Sequence, residues 1–110
     1  MQRSSIAITA VAALVMSMAL AVSAFAATKT VTIGDNFFKP KSVRVSKSST
    51  VKWVWKGRNP HNVTVTSGPV KFSSPTKTKG TFSKKLAKRG TYKIICTVHG
   101  ARQSLTIKVR

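Results

Sequence analysis

From residue 30 onward, apolar and polar residues alternate in short runs cut by Gly, Pro, Ser and Asn. Thr30-Val31-Thr32-Ile33 predicts a first strand, Gly34-Asp35-Asn36 a turn, and Phe37-Phe38-Lys39-Pro40 a corner. Residues 42–45 predict a second strand. Residues 50–55 predict a third, with Val51, Trp53 and Trp55 on one face. After the loop at residues 56–60, residues 61–66 alternate again. Residues 67–79 contain Gly68, Pro69 and Pro75 and predict an irregular excursion. Residues 81–84, 92–96 and 105–110 complete the strand series, the last apolar on one face and basic on the other. No stretch here has a helical period, and none repeats. The pattern predicts an all-β sandwich or barrel.

The first residues differ in kind. Arg3 precedes an apolar stretch over residues 6–22, broken only by Thr9 and Ser17, and Ala24-Phe25-Ala26 supplies small residues. This predicts an export signal, residues 1–26, cleaved after Ala26. The domain is then 27–110, or 84 of the 110 residues. If uncleaved, the charge-free stretch approaches the ~20 residues of a membrane helix and would act as a tether. On either reading the domain is expected outside the cytoplasm: periplasmic, extracellular or at the cell surface.

Charge narrows the chemistry. The chain has 20 Lys and Arg against one acid, Asp35; without Arg3, 19 basic residues remain and the domain stands near +18. Such a field attracts anionic partners. One carboxylate gives no acidic pair for glycoside or aspartyl-type catalysis and no oxygen-rich calcium site. An enzyme is not expected. The alternation places Lys52, Lys93, Lys108 and Arg110 on solvent faces.

A domain this small has a modest core, and exported ones often add a disulfide or a metal. The single cysteine, Cys96, forms no internal disulfide, so a metal is the expected staple. Cys96-Thr97-Val98-His99 follows the run Tyr92-Lys93-Ile94-Ile95, and the only other histidine, His61, lies in Asn59-Pro60-His61-Asn62-Val63. One thiolate and two imidazoles form the trigonal set that holds blue copper. Tyr92, Ile94 and Cys96 share a parity, which turns the thiol inward. All three methionines (Met1, Met16, Met18) precede residue 19, so the domain has no axial Met.

These segments resemble the plastocyanin/azurin family of cupredoxins. Tyr92-x-Ile94-x-Cys96-Thr97-Val98-His99-Gly100 is similar to that family's C-terminal copper loop. Asn59-Pro60-His61-Asn62-Val63-Thr64-Val65 is similar to the segment carrying its first histidine. Phe38-x-Pro40-x-x-Val43-x-Val45 and Thr50-Val51-Lys52-Trp53 are similar to its early strands. The resemblance implies a Greek-key β-sandwich with one copper ion near one end. It further implies His61, Cys96 and His99 as equatorial ligands, and single-electron transfer between Cu(I) and Cu(II). The departure is axial. Some relatives place Met four residues after the last histidine, where this chain has Gln103. Gln is an accepted weak axial ligand, whereas Arg102 has no lone pair to give. Gln103 is preferred over an empty axial position, and its harder oxygen should lower the reduction potential.

Other readings use the same residues. Zinc suits Cys and His, with Asp35 the one available base. Extracytoplasmic copper handling without a carrier role is closer. A basic β-domain binding anionic polymers is a third; export and the inward parity of the tryptophans disfavour nucleic acid. The expected partner is an acidic redox protein or an anionic surface, the expected state a monomer. Lys77-Thr78-Lys79 and Lys84-Lys85-x-x-Lys88-Arg89 are candidate docking patches. Asn62-Val63-Thr64 matches a glycosylation sequon, read beside a metal ligand as coincidence.

Overall fold

The computed structural model describes residues 26–110, and these are all-β. The expected export signal over residues 1–26 lies outside the described residues except for its last position. Eight strands follow in order: β1 Thr28–Ile33, β2 Phe38–Lys39, β3 Ser42–Val45, β4 Thr50–Trp55, β5 Thr64–Ser67, β6 Gly80–Lys85, β7 Gly90–Cys96 and β8 Gly100–Val109. They form two four-stranded sheets, β2-β1-β4-β6 and β3-β8-β7-β5. The expected β-sandwich is present. From β2 to β7 each successive strand lies in the other sheet, in the crossed manner of a Greek key, while β1–β2 and β7–β8 are paired within one sheet.

Two pairings are parallel: β1 with β4, matching Val31 to Trp53, and β3 with β8, matching Val45 to Val109. The inward positions follow the period-two pattern. Val31, Ile33, Val51, Trp53, Trp55, Tyr92, Ile94, Leu105, Ile107 and Val109 are buried together. Lys52, Lys93 and Lys108 face solvent from the same strands. Phe72, from the excursion at residues 67–79, packs at 6.2 Å on the Trp53 ring, and Ser74 N donates to Val63 O. That segment is therefore an integral flap over the core rather than a free loop.

Two strand boundaries differ from the sequence reading by three residues or more. Residues 61–63 are not strand: His61 makes only an isolated bridge to Lys77, and β5 begins at Thr64. His61, Asn62 and Val63 are all buried, which breaks the alternation a half-exposed strand requires. The last strand begins at Gly100 rather than residue 105. Gln103 points inward in phase with Leu105, Ile107 and Val109, and Arg102 faces out.

Candidate metal centre

The end of the sandwich where β4 and β7 finish gathers the sulfur and both imidazoles. Cys96, the last residue of β7, is fully buried. His61 is also fully buried, and its Nδ1 lies 3.9 Å from Cys96 Sγ. Two bent bonds of about 2.0–2.3 Å, the range for nitrogen and sulfur on a first-row ion, span that separation. His99 follows in the tight turn after Cys96, its amide donating to Cys96 O at 3.3 Å. Its ring centroid stands 5.0 Å from that of His61, and its Nε2 is buried without a hydrogen-bond partner. Among the described residues no three His, Cys, Asp or Glu side chains close to a common metal-holding radius. Cys96 and His61 are in contact, and His99 stands beside them.

Gln103 reaches the same end through the turn at residues 34–37. Its Nε2 donates to Gly34 O at 2.9 Å and Phe37 O at 3.1 Å. The two carbonyls fix which end of the amide faces them, because only the NH₂ can donate. Oε1 is left buried with no partner. A buried acceptor without a donor is costly, and such an oxygen suits an electron-poor ion. The residues present thus fit copper by donor chemistry: a thiolate, two imidazoles and an uncommitted amide oxygen.

The sequence alone makes Asp35 a turn residue and the one available base. In the fold, its Oδ1 lies 3.0 Å from His61 Nε2. The same oxygen accepts from the amides of Arg58 at 2.8 Å and Asn59 at 2.9 Å. The Asn59 amide, then His61, then the Arg58 amide hold its carboxyl at about 2, below the ordinary 3.8. An ionised Asp35 keeps the proton of neutral His61 on Nε2, which leaves the Nδ1 lone pair facing the thiol. Room for this carboxylate comes from Gly57, where a Cβ would collide with Asp35 Oδ1. A Cβ on Gly34 would likewise strike the Phe37 ring that lies over it.

Asn62 ties the two ligand segments together. Its Nδ2 donates to Thr76 Oγ1 and Thr97 Oγ1, and its Oδ1 accepts from Thr97 N and Thr64 Oγ1. Its amide points at Cys96 Sγ at 3.5 Å. The sequon nitrogen is consumed by this network, in line with the reading of the motif as coincidence. Trp55 adds a further brace, its Nε1 donating to His61 O at 3.0 Å. Lys77, from a candidate docking patch, sits 4.7 Å over the Trp55 ring, and Lys84 sits 5.5 Å over Phe72. Those two cations brace the fold.

The comparisons with known proteins place the chain in a family. The model of copper binding proteins of the plastocyanin/azurin family matches residues 25–110. Similar solved structures include an oxidised mutant of amicyanin (TM-score 0.67, 26% identity, covering 78% of this chain and 90% of that one). A purple cupredoxin from Nitrosopumilus maritimus aligns with TM-score 0.66 at 22% identity, covering 74% of this chain and 99% of that one. The copper-containing nitrite reductase of Thermus scotoductus SA-01 aligns with TM-score 0.66 at 24% identity over 76% of this chain, which spans only 22% of the reductase. No curated protein matches at a significant level. The chain belongs to the plastocyanin/azurin family of copper-binding cupredoxins.

Proposed function

We propose that this chain is an exported, monomeric single-electron carrier, with His61, Cys96 and His99 as equatorial ligands and Gln103 Oε1 as the axial one. The observation carrying this reading is the convergence at one end of the sandwich of a buried thiol, a buried imidazole 3.9 Å away and a second imidazole beside it. Bound copper supplies one-electron exchange between Cu(I) and Cu(II). The protein's part is to change little when the electron moves. His61 is gripped from three sides, by Asp35 on Nε2, by Trp55 on its carbonyl and by the backbone bridge to Lys77. Asn62 ties its segment to the Cys96–His99 turn.

The surface supports carriage rather than catalysis. Phe37 and Val98 are the exposed large hydrophobics of the described residues, 43% and 50% accessible. Phe37 covers the Gly34 turn and Val98 precedes His99, so both flank the candidate centre. A small apolar patch set in a basic surface fits brief docking with an acidic redox partner, attracted by charge and released easily.

Copper addition to the purified protein, read by visible spectroscopy, tests the site. An intense thiolate-to-Cu(II) band, lost in Cys96→Ser, is expected. A colourless protein that takes up zinc in preference would overturn the reading. Copper handling without carriage is told apart by electron exchange with an acidic acceptor, fast for a carrier and slowed by salt.

A further inference from the structure

The pole opposite the metal centre has its own character. The β7 strand separates the two by about 20 Å, at roughly 3.3 Å per residue from Gly90 to Cys96. The loops at that far end are drawn together by backbone bonds. Lys47 N donates to Arg110 O, Ser48 N to Leu86 O, and Leu86 N to Ser49 O. Lys85 pairs with Thr50, and Gly90 with Val109. The result is one surface bearing Lys47, Lys85, Lys88, Arg89, Lys108 and Arg110, every one exposed. Lys108 lies directly across from a further cation, Arg44. The one acid of the chain, Asp35, is engaged with His61 at the other pole.

Like charges held opposite one another in a sheet disfavour the folded state, and among the described residues no Asp or Glu side chain stands beside these. The chain also enters the domain here: Ala27 N donates to Ser49 Oγ, and Thr50 N donates to Ala27 O. Where it is not cleaved off, the apolar stretch over residues 6–22 therefore leads into the domain at this pole. A polybasic surface draws a domain to anionic headgroups, and an uncleaved apolar leader entering at the same pole would add the second element that holds proteins at such bilayers.

We infer that this pole docks on an anionic lipid surface, through phosphate headgroups, with the copper end facing away from the bilayer. An acidic protein is the poorer fit, because the cations are spread over several loops around a blunt end with no groove or apolar anchor among them. The cations that form the surface all belong to the described residues and none is a candidate copper ligand, so the vesicle test can fail without touching the copper reading.

The test is co-sedimentation of the full chain with vesicles of pure phosphatidylcholine and with vesicles containing phosphatidylglycerol, at low and high salt. Comparing the two vesicle types removes any contribution of the apolar segment, which has no preference for charge. The wild type is expected to favour the anionic vesicles by at least tenfold, and to lose that preference at high salt. The variant Lys47→Gln, Lys88→Gln, Arg89→Gln, Arg110→Gln is expected to lose most of it. A variant of equal charge, Lys39→Gln, Lys52→Gln, Lys56→Gln, Lys79→Gln, should keep it within about threefold. All eight side chains are exposed, so folding should survive, and circular dichroism checks this. Equal losses in the two variants would mean diffuse attraction and overturn the inference. So would a pole variant that keeps its vesicle preference while losing affinity for soluble DNA or an acidic protein.

Discussion

Replacing Gln103 with Met separates the amide's structural role from its role toward copper. Its Nε2 donates to two carbonyls from a fully buried side chain. Phe37 O keeps a second partner, the amide of Gly34 at 3.0 Å, so losing Gln103 costs it only a net hydrogen bond, about 0.5–1.5 kcal/mol. Gly34 O is deprived of its side-chain donor, at about 1–3 kcal/mol. Met fills similar space and removes the orphaned Oε1, which returns about 1 kcal/mol. The net destabilisation is about 0.5–3.5 kcal/mol. In a domain of this size each kcal/mol moves Tm by about 4–8 °C, so metal-free Gln103→Met should melt roughly 2–28 °C below wild type. Scanning calorimetry after chelation is the assay; chelation matters because bound copper adds its own stabilisation. An unchanged or raised melting point would refute the claim that the amide holds the turn at residues 34–37.

The same variant loaded with copper should have a higher reduction potential than wild type, because a thioether favours Cu(I) and an amide oxygen Cu(II); potentiometry giving an equal or lower value would sink the axial assignment. Asp35→Ala should weaken copper binding about 10–100-fold by freeing the His61 ring, measured by competition with a chelator. Acid stability should depend on that same carboxylate. Its folded pKa lies below the ordinary one, so its stabilisation is complete above about pH 4 and lost as pH falls toward about 2. Metal-free wild type should therefore lose melting temperature between those values, and Asp35→Asn should lose much less. Asn62→Ala removes four side-chain hydrogen bonds and should destabilise the metal-free domain by about 2–4 kcal/mol in urea unfolding.

Strand parity carried most of the fold in the sequence. Val51, Trp53 and Trp55 face the core together, as do Tyr92, Ile94 and Cys96, because a half-buried strand must alternate. The start of β8 was hidden for a related reason. Its inward position near the metal end is held by Gln103 instead of an apolar residue, so Gly100 to Ser104 shows no large apolar side chain to mark a strand. That interruption coincides with the candidate axial ligand, and its phase with Leu105, Ile107 and Val109 is the signal that could have placed it. Residues 61–63 misled in the opposite sense, since three consecutive buried residues have no period to read. Asp35 meets His61 across 26 positions, and no local pattern encodes such a contact. Its solitude as the one acid of the chain was the available clue.

The parallel pairing of β3 with β8 bears on how the molecule comes into being. It joins residues 42–45 to residues 106–109, and β8 sits between β3 and β7. Half of the sandwich thus waits for the last strand to arrive before it can close, and closing so long a loop is the slow kind of folding event. Until β8 docks, Gln103 is not in place and one flank of β7 has no partner, so the Cys96 thiol is open to stray oxidants and metals. The speed of that final docking sets how long the candidate copper ligand goes unprotected.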